Sequence, residues 1–344
     1  MRPVYVRGSA VSVGWADRSR SLTDLIFDCV RAALGDADVT AAELGAVVLA
    51  AHDLVDGRGL TSMVTAQAAA AYLKDETRLA EDGATAFVLG DARVRSGSVD
   101  TCLVAGWGRA SEMPVDEVSH ALFEPFTTRP LAMTEIAVSG MRAALSLATY
   151  PDYDRHRAAL AARRKDRPPA RTPGAAWPLR TGELPVWSDV VAAVVLTSRP
   201  TPVRVLGVGM STEPFEIGDR DLLALPALHA AGGQALAAAG HVIGDADVLE
   251  LDGLTAFDEA LAAEAVGAAD RGAGMALLAE ADRLNPDGGG AAGYCDPAMG
   301  LVRISRARER LLRGGRLALA TGSSVVAAQT QAAVVLGKET AWSR

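Results

Sequence analysis

The sequence predicts an α/β fold made of two similar halves, and three observations carry that expectation. Short continuous apolar runs, Ala46–Ala51, Thr101–Ala105 and Val190–Leu196, read as strands buried on both faces. Segments of helical periodicity separate them, as in a covered sheet. After Pro200 the same order of elements begins again without visible sequence identity, which points to an old duplication. A chain of 344 residues, 49% of them apolar, is long enough for two domains or one large duplicated fold with a substantial core.

The elements follow in order. Val4–Val13 opens as a strand. Ser21-Leu22-Thr23-Asp24 is a capping box, with Leu22, Leu25, Ile26, Cys29 and Ala33 forming one apolar stripe that stops near Gly35. Cys29 on that stripe is a core residue. Strand Ala46–Ala51 comes next, then a helix of small residues over Met63–Leu73. The helix Ala84–Ser96 is closed by Gly97, and strand Thr101–Ala105 ends at Gly106-Trp107-Gly108. From Met113 to Val186 prolines break the alternation, leaving helical pieces at Ala132–Ala148 and Asp154–Arg164. A long irregular segment of this kind is expected to cover a functional site. Val190–Leu196 returns to the sheet.

The second half repeats the order. Strand Val203–Val208, helix Leu222–Ala239, strand Val248–Leu251 and helix Phe257–Val266 come first. Asp258 and Glu259 on that helix read as a solvated face. A glycine-rich stretch, Asn285–Gly300, leads to helix Ile304–Leu312, strand Arg316–Ala320 and a last strand over Ala327–Leu336. The expected division is 1–200, with an insertion at 113–186, and 201–344.

Composition narrows the function. Lys and Arg total 34 against 42 Asp and Glu, and a net charge of −8 argues against general binding to nucleic acid or anionic membranes. No stretch approaches the roughly 20 apolar residues of a membrane span. The opening MRPVYVRGSAVSVGW reads as a strand rather than a signal peptide, so a cytoplasmic location is expected. Cys29, Cys102 and Cys295 lack CxxC spacing, which fits a reducing compartment without disulfides. The five histidines never pair at HxH or HxxxH spacing, so no metal site is expected. Gly288-Gly289-Gly290 is not a dinucleotide fingerprint, and no Walker motif or GxSxG elbow is present.

Four segments carry a family resemblance. They are Gly83-Ala84-Thr85-Ala86 with Gly97–Trp107; Trp177-Pro178-Leu179-Arg180 with Ser188–Leu196; Val248-Leu249-Glu250-Leu251-Asp252; and Asn285-Pro286-Asp287-Gly288-Gly289. In this order and spacing the chain resembles the thiolase superfamily over nearly its whole length, in particular the sterol-carrier-protein-X or lipid-transfer-protein branch. The resemblance implies a five-layer αβαβα fold and a dimer formed through the strand near Thr101–Ala105. It also implies a coenzyme A thioester as substrate and no tightly bound cofactor.

The chemistry departs from the family pattern. A thiolase needs a cysteine thiolate to take the acyl group and histidines to activate it and hold the thioester oxygen. The family's Cys-x-Ser-Gly turn reads here Ala80-Glu81-Asp82-Gly83. Its Asn/His-Asp pair appears as Asp252-Gly253, and its Gly-His-Pro as Gly293-Tyr294-Cys295. Keeping the family glycines at Gly293 and Gly300 puts Tyr294 at the histidine position; counting without a gap from Asn285 puts Cys295 there. The pattern is similar to thiolase-related aldolases, which lack the cysteine, use tyrosines, and cleave sterol CoA thioesters by a retro-aldol step. That resemblance implies an acyl-CoA aldol-lyase with a small OB-fold (DUF35-type) partner, a second thiolase-like subunit, or both. The alternatives are a non-catalytic thiolase-like partner subunit and an acyltransferase using Cys295.

The site candidates follow from this. Tyr294 is an acid/base or oxyanion donor, or a partly exposed loop tyrosine. Cys295 is a base or nucleophile when ionised, or a bystander thiol. Asp82 and Asp252 are expected to face one pocket, where two desolvated carboxylates split their pKa values; alternatively Asp82 caps the helix behind it. Glu250 is read as structural, and Asn285 as a loop-orienting residue. Arg163, Arg164 and Arg167 belong to a basic run suited to CoA phosphates, with Gly288 and Gly289 beside the ligand; the alternative is a solvated charged loop or a partner-binding edge.

Overall fold

The computed structural model describes residues 1–57, 59, 62–165, 176–324 and 326–339. The chain begins with β1 (Val4–Gly14), α1 (Leu22–Ala37), β2 (Ala46–Ala50) and two single-turn helices, α2 (Asp53–Asp56) and α3 (Ser62–Thr65). Then come β3 (Asp75–Leu79), α4 (Gly83–Ser96) and β4 (Thr101–Arg109). Three helices, α5 (Val115–Leu122), α6 (Glu135–Thr149) and α7 (Asp152–Arg163), precede β5 (Asp189–Thr197). The remainder is β6 (Val203–Thr212), α8 (Pro226–Ala239), β7 (Val248–Glu250), α9 (Ala256–Ala265), α10 (Gly274–Glu280), α11 (Met299–Leu312), β8 (Leu317–Ser324) and β9 (Thr330–Lys338).

The described strands lie in the order β3-β2-β4-β5-β1-β6-β9-β8-β7. Outward from the centre, β1-β5-β4-β2 and β6-β9-β8-β7 repeat one pattern: two antiparallel pairings, then a parallel one. The halves join through Val4–Val205 and Tyr5–Arg204. β3 adds a further parallel pairing to β2, and beyond β7 the matching place holds a parallel bridge between Leu249 and Leu284.

Helices α4 and α11 pack on each other and on strands of both halves, so they form a middle layer. Helix α1 covers β1 and β5 from outside, and α8 covers β6 and β9. The result is the five-layer αβαβα arrangement. Every residue of β4 and β5 is buried, as strands covered on both faces require. The capping box at Ser21 and Asp24 is formed, and Cys29 is in the core.

Several elements differ from expectation. The helix over Met63–Leu73 is reduced to α3 and a series of turns, and the unforeseen strand β3 follows. Its sequence, DETRL, pairs on one side only and shows no buried apolar run, so its pattern gives no strand signal. Helix α8 starts at Pro226, whose fixed φ suits a first helical position, rather than at Leu222. Helix α11 begins at Met299, five residues before the expected start at Ile304, and the last strand runs over Thr330–Lys338. The segment Thr101–Ala105 has both edges filled, by β2 and β5, and is not free to pair with another subunit; β3 is the edge of that half. Asp258 and Glu259 are buried rather than solvated, because α6 and α7 of the inserted region lie against α9 and α10.

Candidate functional site

The two central helices begin at the same place, and one carboxylate joins them. Asp82 is the N-cap of α4: its Oδ1 accepts from Ala84 N at 2.7 Å, and its Oδ2 accepts from Gly300 N, in the first turn of α11, at 2.9 Å. The space is cleared for it. A Cβ on either Gly300 or Gly322 would lie 2.0 Å from Asp82 Oδ1, so neither position admits a side chain while the carboxylate stays. The backbone N–H of Asp82 donates to Ser324 Oγ at 2.8 Å. Burial first, and then the charge of Asp252, push Asp82 up to about 8, against the lowering effect of its N–H partners.

Asp252 follows β7. Its Oδ2 accepts from Ser323 N at 3.2 Å and Ser323 Oγ at 2.6 Å. Its Oδ1 is buried and, among the described residues, has no partner within hydrogen-bond geometry. Burial raises this carboxyl as well. Asp82 and Asp252 therefore sit close enough to perturb one another, and the cap and the paired carboxyl are the same residue.

Tyr294 is 3% exposed, not half-exposed as a loop position suggests. Its backbone bonds to Val186 and Ser188, its ring meets Trp187 edge-on with centroids 5.7 Å apart, and its hydroxyl donates to Asp296 Oδ1 at 3.3 Å. Burial and the neighbouring Asp252 and Asp296 raise the phenol well above its usual value, so it stays protonated. Cys295 points away: its Sγ is where a Cβ on Gly108 of β4 would be 2.5 Å distant, and burial raises the thiol well above its usual value. It is absent from the walls of both cavities described next.

Two adjoining cavities open over this cluster. The first is lined by Ala80 and Asp82 below and by apolar residues of α5 and its approaches, among them Met113, Val118 and Leu122. The second is lined by Asp252, Tyr294, Ser139, Arg142 and Gln331. Glu135, Asp296, Ser323 and Ser324 belong to both. Glu135 accepts from Ala327 N at 2.8 Å and is raised by burial to about 6. Asp296 is raised well above the carboxylate range by burial and by Asp252, Asp82 and Glu135. His52 lines the first cavity, and burial lowers its pKa, favouring the neutral ring.

Asp296 and Glu135 escape a reading of the sequence. For Asp296 a signal exists: it directly precedes Pro297, as the histidine of Gly-His-Pro precedes its proline. Glu135 lies in the inserted region, and only the fold brings it to the cleft.

The expected phosphate-binding residues form a different unit. Arg164 is buried and donates Nη2 to both oxygens of Glu259 at 3.0 Å. Glu259 also accepts from Asn285 Nδ2 at 2.9 Å and Gly290 N at 3.1 Å. Asn285 bonds both the N–H and the C=O of Leu251, so it orients both loops. Gly289, at φ +61°, leaves room for Glu259, whose Oε2 would be 2.2 Å from a Cβ there; Gly288 is buried alongside. Arg163 donates to the carbonyls of Leu278 and Ala281. These residues are thus occupied internally, and Arg167 lies outside the described residues. Glu250 pairs with Arg310 at 3.0 Å and Arg303 at 3.6 Å rather than with backbone. Among the described residues no helix is long and apolar enough to cross a membrane.

No family profile matches the sequence, and no curated protein matches it by sequence. Solved structures do match in shape. The Ltp2-ChsH2(DUF35) aldolase has a TM-score of 0.77 at 17% identity, covering 98% of this chain and 98% of that one. Human mitochondrial 3-ketoacyl-CoA thiolase gives 0.74 at 14% identity, covering 98% and 99%. The same human enzyme in complex with CoA gives 0.74 at 15%, covering 98% of each chain. The fold is thiolase-like.

Proposed function

We propose that this chain is the thiolase-like subunit of an acyl-CoA aldol-lyase, cleaving a β-hydroxyacyl-CoA at the Cα–Cβ bond. One observation carries the reading. The cleft at the starts of α4 and α11 offers Ala80 in place of a nucleophile, yet it gathers Asp82, Asp252 and Tyr294. A retro-aldol needs no covalent intermediate; it needs a base for the β-hydroxyl and donors for the thioester enolate. In this reading Tyr294 supplies a hydroxyl donor, Asp252 an auxiliary carboxyl and Asp82 the charge that couples to it. Residues 1–200 and 201–344 are its two halves, with 113–186 inserted over the cleft. A thiol-dependent acyl transfer through Cys295 has no comparable support, since that sulfur is buried away from both cavities.

Coenzyme A thioesters are the substrates this reading assigns, with a sterol side chain as the leading example and lipid degradation in the cytoplasm as the setting. A DUF35-type OB-fold protein, a second thiolase-like chain, or both are the partners; the composition of the Ltp2-ChsH2(DUF35) aldolase supports the DUF35-type one. The test is co-expression with each partner type and incubation with β-hydroxyacyl-CoA thioesters, following the shortened acyl-CoA by mass spectrometry. Tyr294→Phe is expected to lower turnover at least about tenfold; unchanged turnover removes Tyr294 from the reaction. The absence of a nucleophile also favours a second reading, a non-catalytic subunit that shapes an active partner. That reading predicts equal turnover by the complex with wild-type and Tyr294→Phe chains.

A further inference from the structure

We propose that Asp296, held by the Tyr294 hydroxyl at the boundary of the two cavities, is the general base of this reaction, and that Asp252 is its acid. The assignment rests on the aldol-lyase reading and goes beyond it in naming the proton acceptor and the shape of the substrate. A bond that crosses from one cavity into the other passes the wall they share, where the titratable groups are Asp296 and Glu135. Glu135 is fastened to Ala327 N. Among the described residues the Asp296 carboxylate receives only the long contacts from Tyr294, at 3.3 and 3.5 Å, which leave its lone pairs available.

Tyr294 itself is an unsuitable base. A phenolate there would stand beside Asp252, Asp296 and Asp82, all without a neutralising cation in contact. A carboxylate made more basic by the same surroundings is better matched to an alcohol proton. Asp252 supplies an independent pointer to a ligand: it is 5% exposed, lines the second cavity, and its Oδ1 has no partner. A buried oxygen left unpaired loses its water without replacement, and a ligand group placed there recovers the lost hydrogen bond.

The two cavities differ in a way that orients the substrate. Val55, Met113, Val118, Leu122 and Trp187 give the first an apolar wall; the second is mixed, with Ser139, Arg142 and Gln331 set among Leu225, Leu228 and Leu254. The substrate class is a β-hydroxyacyl thioester with a bulky apolar β-substituent in the first cavity and its thioester in the second. Asp296 takes the β-hydroxyl proton, and the O–H electron pair becomes the carbonyl π-bond at Cβ. The Cα–Cβ pair passes to the thioester as an enolate, which receives a proton at Cα from the Asp252 carboxyl. A ketone or aldehyde and a shortened acyl-CoA leave. One proton is taken and one given, so return of a proton from Asp296 to Asp252 through solvent resets the site.

The experiment compares folded variants, checked by circular dichroism, in the assembled complex. Asp296→Asn is expected to lower kcat about 100-fold or more with KM changed less than about threefold; Asp296→Glu recovers part of the loss, and Glu135→Gln costs less than about tenfold. The groups sharing the cavities with Asp296 are Glu81, Asp82, Glu135, His52, Asp252, Asp258, Arg142 and Tyr294. Of these, Tyr294 lowers the Asp296 pKa by its hydrogen bond. Tyr294→Phe is therefore expected to move the acid limb of the kcat/KM profile to higher pH, a readout that survives even if Asp296→Asn does not fold. Near wild-type turnover by folded Asp296→Asn, a collapse in Glu135→Gln instead, or an unmoved acid limb overturns the assignment and leaves the lyase reading standing. A complex that cleaves no substrate of this class and exchanges no Cα protons of short-chain acyl-CoA thioesters with D2O removes the lyase reading, and the assignment with it.

Discussion

Two carboxylates of the C-terminal part of the molecule, Glu259 and Asp252, are both buried, and they are treated in opposite ways. Glu259 is fully buried and fully satisfied: Arg164, Asn285 and Gly290 supply four hydrogen bonds, two to each oxygen. Asp252 is almost as buried but keeps one oxygen unpaired, and its acidic neighbours Asp82 and Asp296 are unneutralised by any guanidinium in direct contact. A buried charge with complete partners holds structure together, whereas one with incomplete partners stores free energy that a ligand can release. The difference separates the glycine-rich loop, which Glu259 anchors, from the cleft, which the aspartates charge.

The comparison breaks most visibly at Glu259. Glu259→Ala leaves Arg164 buried without its anion and is expected to lower stability by about 3–5 kcal/mol in urea titration, while turnover per folded molecule changes little. An equal loss of turnover in the folded fraction would place Glu259 with the cleft after all.

Asp82 sharpens the contrast through pH. Its folded-state pKa is raised to about 8 from an unfolded value of 3.8. Between those values the native state holds a proton that the unfolded chain has released, so this group makes stability fall as pH rises across that window. Asp82→Asn is expected to flatten the decline, read as the difference between urea midpoints at pH 5 and pH 8. A variant with the wild-type slope would show that Asp82 is ionised at pH 5 in the native state.

The smallest effect belongs to a third kind of carboxylate. Asp100 pairs with Arg2 at 2.8 Å, but the two side chains are 73% and 54% exposed. Asp100→Asn is expected to shift stability by less than about 1 kcal/mol, with further reduction in salt. A larger shift would mean that partner completeness, rather than burial, sets the scale.

These distinctions mark how far the sequence is legible. Continuous apolar runs give β4 and β5 directly, because a strand covered on both faces must be apolar throughout. The repeated strand pattern of the sheet shows in the order of elements along the sequence. Asp82 is readable as a cap from its place before Gly83, and as half of an acid pair only through the family resemblance. β3 is hidden because an edge strand needs no apolar pattern. Glu259 reads as solvent-facing because its partners come from 95 residues earlier and 26 and 31 residues later, and no local periodicity encodes them. Tyr294 looks exposed in a glycine-rich loop until Trp187 and Val186 close over it.

The Ala80 turn has a consequence for how such a scaffold changes its chemistry. A thiol placed there, by Ala80→Cys, would sit at the mouth of a cleft whose nearest ionisable neighbours along the chain are Glu81 and Asp82. Thiolates form where positive charge is near, and neither neighbour supplies any, so the sulfur would stay a thiol. One substitution therefore does not supply sulfur chemistry: a cation would have to arrive as well, and if Asp82 made way for it, Gly300 and Gly322, shaped around that carboxylate, would be left framing a vacancy. The route between the two chemistries is a ratchet rather than a switch.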